Sequence, residues 1–93
     1  MNSKTLDNSD VAGAREQVRD LKVFGDGDLF VLLAKASSQN EGWMKSTKAM
    51  EIPDLGCVVQ VTTQQGHHVA EALVFVPGAR IKIDGHGNRR LAM

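Results

Sequence analysis

Three histidines, one cysteine, a pair of aspartates and one glycine-rich turn are the residues of this chain with chemistry to offer, and spacing decides what each can do. His67 and His68 are adjacent, so in an extended segment they point to opposite faces and cannot hold one ion together. His86 sits in a separate turn. A metal site would need Cys57 or carboxylates brought near these histidines, and a single thiolate cannot build a cysteine-based zinc site. Asp26 and Asp28 form a D-x-D pair beside glycines, but a calcium loop needs a further oxygen ligand where Phe30 stands. The pair reads as a turn followed by a helix cap. Gly25-Asp26-Gly27 lacks the third glycine of a dinucleotide fingerprint and the Lys-Ser/Thr of a phosphate loop. Glu41, Glu51 and Glu71 have no motif partner for acid–base work. Cys57 falls among aliphatic residues, where a thiol behaves as a small hydrophobe and not as a nucleophile. The sequence assigns no catalytic residue, no metal ligand and no cofactor.

Two surface constellations remain. Arg80, Lys82, Arg89 and Arg90 would form a basic stripe near one sheet edge, with Phe75 as a stacking platform; sheet surfaces bind single-stranded nucleic acid in this way. Glu71 lies close by and only one aromatic is available, so solvated strand charges are the plainer reading. Val58, Val69, Leu73 and Phe75 form the second constellation. They share the otherwise polar face of the sheet, as an apolar patch that a monomer must either cover or use. The first helix or the segment starting at Trp43 would cover it; otherwise it is a surface for a protein partner or for a second copy.

The elements that position these residues follow from periodicity. Val11, Ala14, Val18 and Leu21 mark one face of a helix that Ser9 or Asp10 caps and Gly25 stops. Leu29, Leu32, Leu33 and Ala36 recur at i, i+3, i+4 and i+7 and predict a second helix over Asp28–Ala36, ending near Ser37-Ser38. Trp43–Ile52 fits a strand by the parity of Met44, Met50 and Ile52, and a helix by Trp43, Thr47 and Met50; a strand is preferred. Pro53 ends either form.

Gln64-Gln65-Gly66-His67 predicts a hairpin with Gln65-Gly66 at its tip, pairing Thr63 with His68 and Val59 with Ala72. Pro77-Gly78 predicts a type II turn that pairs Val76 with Ala79 and Val74 with Ile81. Both registers place Cys57, Val59, Val61, Ala70, Ala72, Val74, Val76, Ala79, Ile81 and Ile83 on one side of a single sheet. A one-residue slip at either turn would scatter that set. Asp84–Asn88 then returns the chain for a short strand over Arg89–Met93. The expected fold class is α+β, with one or two N-terminal helices on a three- to five-stranded antiparallel meander. Residues 1–8 are a disordered tail and 9–93 a single domain.

Composition is consistent with this picture. Ninety-three residues allow one modest core, and 42% apolar with 24% charged residues is ordinary for a folded domain. One Trp, three Phe and no Tyr leave that core to Val, Leu, Ile and Ala. Eleven basic residues balance eleven acidic ones, so no global field gathers phosphate backbones or anionic lipid. The start, Met1 to Asp10, carries no apolar stretch of a secretory signal. No apolar run approaches the ~20 residues of a membrane span. With one free cysteine, the expectation is a cytoplasmic protein.

The stretch Glu41-Gly42-Trp43-Met44-Lys45-Ser46-Thr47-Lys48-Ala49-Met50, running on into Gly56–Gly66, is similar to reading frames of bacteriophages and prophages. The chain as a whole resembles their small accessory proteins. That resemblance implies a host-directed or virion-accessory role, acting by binding and not by turnover, and it transfers no functional residue. Three functions follow in order: a non-enzymatic protein-binding module, a single-strand nucleic-acid binder, and a small metal-dependent protein using His67, His68 or His86.

Overall fold

The computed structural model describes residues 19–93 and, among them, contains six strands and no helix. β1 (Val31–Ser38), β2 (Trp43–Ile52), β3 (Gly56–Gln65) and β4 (His68–Pro77) form one antiparallel sheet in chain order. β5 (Arg80–Ile83) and β6 (Arg89–Ala92) form a separate two-stranded hairpin. The described fold is all-β. The expected α+β class is therefore wrong for these residues, and most of the expected first helix lies outside them, as does the 1–8 tail.

The second expected helix, Asp28–Ala36, is the end of a loop followed by β1. Two local features explain the difference. Asp28 Oδ1 accepts a hydrogen bond from the Phe30 amide at 2.9 Å, the same two-residues-on contact that a helix cap makes, but here it closes an Asx turn leading into a strand. β1 also carries a bulge: Leu32 pairs with Lys48 and Ala34 with Thr47, leaving Leu33 as the extra residue. The bulge splits the residues of the apparent helical repeat: Leu32, opposite Lys48, and Ala36, opposite Lys45, lie on opposite faces of the sheet, with Leu33 between them as the extra residue. Trp43–Ile52 is a strand, β2, and it lies within the sheet instead of covering it.

The tip of the β3–β4 hairpin is Gly66-His67, because Gln65 pairs with His68. Gly66 has φ 59° and His67 does not share the positive sign, the pattern of a type II′ turn with glycine at its first central position. The expected tip, one residue earlier, displaces every pair by two, so Val59 faces Val74 and not Ala72. A shift of two preserves side-chain parity. Cys57, Val59, Val61, Ala70, Ala72, Val74 and Val76 therefore do lie on one face, as expected.

Ala79, Ile81 and Ile83 do not extend that sheet. The type II turn forms, with Ala79 N donating to Val76 O at 3.4 Å and Gly78 at φ 78°. However, Gly78 N also bonds Leu55 O at 2.9 Å, which carries the chain back across the β3 end of the sheet. β5 then pairs with β6, Ile81 against Leu91 and Ile83 against Arg89, and not with β4. The core is divided accordingly. Ala49, Cys57 and Ala79 are buried where the β5–β6 hairpin meets the sheet, and Met44 is buried on the opposite face beside Ser46 and Thr62.

Candidate functional site

Among the described residues, the largest departure from an ordinary surface is β4. Nine of its ten residues are exposed, on both faces of the strand. Val69, Leu73 and Phe75 are 57%, 62% and 46% exposed and project from the face opposite Cys57. Val58, half-buried on β3, stands directly across from Phe75. Gln60, and not Val58, stands across from Leu73; its amide reaches Glu71 Oε2 at 3.4 Å. The four residues expected to form a patch thus share one face, with one polar bridge running through it. The same face is buried along the neighbouring strands, where Met44, Ser46 and Thr62 are closed off from solvent. The exposure is a property of β4 and not of the whole face.

The other face of β4 adds Val74, also exposed, and Val61 across from Ala72. Sequence reasoning placed these residues in the core. Their exposure was not visible in the sequence because it depends on where β5 goes. A fifth strand or a helix on that face would cover them, but the Pro77-Gly78 turn leads the chain away.

The basic residues are split. In the β5–β6 hairpin Lys82 pairs with Arg90 and Arg80 with Ala92, so Arg80, Lys82 and Arg90 share a face. Arg89, paired with Ile83, points the other way, and its Nη1 donates to Leu32 O on β1 at 3.4 Å. Arg90 Nε donates to Asp84 Oδ2 at 2.8 Å, and Asp84 Oδ1 accepts from the amides of His86 and Asn88. The Arg90 hydrogen bond, then those two amides, holds the Asp84 carboxyl below its ordinary range. Asp84 and Arg90 thus shape the hairpin turn. Phe75 lies in the other sheet and is no platform for this stripe.

Cys57 is sealed in. Its Sγ donates to Ala79 O at 3.3 Å, and Glu51, its partner across β2 and β3, accepts from the Ile81 amide at 2.6 Å. Burial, reinforced by the Glu51 carboxylate, pushes the thiol's pKa up. A protonated, covered thiol is a poor nucleophile. Thiol reagents at neutral pH are expected to modify Cys57 only as fast as the chain unfolds, with full reactivity in denaturant. A folded protein labelled as rapidly as a free thiol would contradict the enclosure.

Nearby, Glu51, Pro53, Asp54, Leu55, Gly78 and Arg80 line a cavity of about 240 Å³ between two turns; of its two carboxylates, Glu51 accepts the Ile81 amide. His67 lies in the hairpin tip and His68 opens β4, at the far end of β3 from Cys57. Among the described residues, no three side chains of His, Cys, Asp or Glu are grouped to hold a metal. No helix among them is long and apolar enough to cross a membrane.

The profile of the Lockin family matches residues 1–92. The chain belongs to the Lockin family. No curated protein and no solved structure matches it. On this Lockin-family chain, β4 is the surface that departs furthest from the ordinary.

Proposed function

We propose that this chain is a non-enzymatic protein-binding module that uses β4 and the face bearing Val58, Val69, Leu73 and Phe75, in the manner of a small phage-encoded accessory protein working in the cytoplasm. The observation that carries the reading is the exposure of three large apolar side chains on one strand, while the neighbouring strands bury the same face. Leaving these groups in water forgoes roughly 25 cal/mol for each Å² of apolar surface a partner would cover. A leucine and an aromatic ring on a rigid sheet also bind without a large loss of rotamer freedom.

The basic stripe supports a weaker second reading, single-stranded nucleic-acid binding. Three cations do share one hairpin face, but Arg90 is already paired with Asp84 and Arg89 is turned towards β1. Affinity for an oligonucleotide that fell steeply with salt would favour it.

The test of the main reading compares wild type with the Leu73→Glu/Phe75→Glu double variant. Both positions are exposed, so the variant should fold as the wild type does. Its association, read by light scattering and by co-purification, should weaken by about 100-fold or more if these side chains are the anchors. Two folded monomers that retain the same partners would remove the proposal.

A further inference from the structure

We infer that the partner of β4 is, in the first instance, a second copy of this chain, joined edge to edge and antiparallel with Ala72 on the twofold axis. The inference rests on β4 being the binding strand and adds to it the occupant and the register.

The argument starts from the backbone. Gly78 N donates to Leu55 O and Gly66 N to Gly42 O, which fixes the phase of both ladders flanking β3. Even-numbered residues of β4 bond to β3, because an antiparallel ladder alternates between bonded and non-bonded pairs. The amides and carbonyls of Val69, Glu71, Leu73 and Phe75 therefore point outward along the free edge. Among the described residues no strand pairs with that edge.

The two edges of the sheet are unlike. β1 is interrupted by its bulge at Leu33, and Arg89 clasps it by donating to Leu32 O. β4 pairs with β3 over ten residues with no bulge, and Glu71 is its single Asp, Glu, Lys or Arg. Protected edges carry charges, prolines or bulges; β4 has its only proline at its last position.

Self-pairing has few registers to choose from. A twofold perpendicular to the sheet pairs residue with residue about a central position. Centring on Glu71 places two carboxylates directly opposite each other. Centring on Leu73 sets Val69 against Pro77, which has no amide to give. Centring on Ala72 pairs Val69 with Phe75 and Glu71 with Leu73 of the second copy, and every outward amide finds a carbonyl. Ala72, the smallest side chain available there, meets its own copy at the close, non-bonded position. The result is a continuous eight-stranded sheet on which the two Leu73–Phe75 patches adjoin.

Cysteine cross-linking tests the register. Ala72→Cys places two thiols at a non-bonded pair, about 4.5 Å between Cα atoms, within disulfide reach. Ala70→Cys leaves its thiols about 14 Å apart, four residues of strand rise, which is out of reach. Under mild oxidation Ala72→Cys is expected to form a covalent dimer on the order of tenfold faster than Ala70→Cys, since only its thiols are held together by the pairing. By light scattering, wild type should be a dimer. Glu71→Pro removes an outward amide while keeping the β3 ladder, as edge-strand prolines do, and should be a monomer with an unchanged β-sheet circular dichroism spectrum. If Glu71→Pro fails to fold, the cysteine pair still decides. A monomeric wild type, a dimer that survives in folded Glu71→Pro, or equal cross-linking of the two cysteine variants overturns the pairing. A monomeric wild type that loses a protein partner on Leu73→Glu/Phe75→Glu would overturn the pairing alone and leave the protein-binding reading in place.

Discussion

Replacing Gly56 with alanine is expected to destabilise the protein by about 2–4 kcal/mol, a large part of the roughly 5–14 kcal/mol that a domain of this size commands. Gly56 opens β3 opposite Pro77, at φ 152°, a conformation that L side chains rarely adopt. A Cβ at this position would fall onto the carbonyl oxygen of Val76 and within 2.9 Å of Pro77 Cα and 3.0 Å of Gly78 N. All three are backbone atoms of the turn that sends β5 across the sheet. None can rotate aside as a side chain would. The turn would have to move, and with it the bond from Gly78 N to Leu55 O and the cover over Cys57. The measurement is urea unfolding, with a lower midpoint at unchanged slope. Gly85→Ala is the control: its added methyl meets nothing within 4 Å, and its stability should stay within about 0.5 kcal/mol of wild type. If Gly56→Ala matched that control, the β3–β4 end would not be closed as described.

The second large effect is at Met44. It is 1% exposed and is among the largest fully buried side chains, on the face it shares with Ser46 and Thr62. Met44→Ala should cost about 2–5 kcal/mol, through lost burial and the cavity left behind. Met44→Leu, which keeps most of the volume, should cost less than about 1.5 kcal/mol. The informative comparison is Leu73→Ala, which removes the same number of heavy atoms on the same face of the sheet, but at 62% exposure. It should change folding stability by less than about 0.5 kcal/mol. A ranking in which Leu73→Ala costs as much as Met44→Ala would mean that β4 is packed in solution. Since edge pairing between copies produces such packing, the measurement belongs at high dilution.

How much of this was legible in the residues depended on which interaction decided each element. The β3–β4 hairpin was readable because Gly66 and the alternating valines answer to local forces, and the misplaced tip cost nothing in parity. The type II turn at Pro77-Gly78 was readable for the same reason. Its consequence was not, because a turn fixes the angle of departure and not the sheet the next strand will join. That choice rests on Leu55 O, Ala79 O and Glu51, which are distant in sequence from β5 or silent about it. β1 was misread as a helix because the bulge at Leu33 broke the period-two pattern and the Asx bond at Asp28 looked like a cap. The apolar patch was found as a set of four residues. Its pairing was not: the expected register, with Val59 opposite Ala72, carries Val58 opposite Leu73, and only the correct tip sets Val58 opposite Phe75. The exposure of Val61 and Val74 was missed altogether, because aliphatic residues on one face were equated with a covered face.

One feature of the topology bears on how the molecule is made. Strands β1 to β4 each lie beside their predecessor, through connections of four, three and two residues. All-β chains commonly wait for distant segments to meet before order can spread. Here a ribosome delivers each strand next to a neighbour already emerged, so the four-stranded sheet can grow at the pace of synthesis, each new strand forming its edge in turn and β4 completing it.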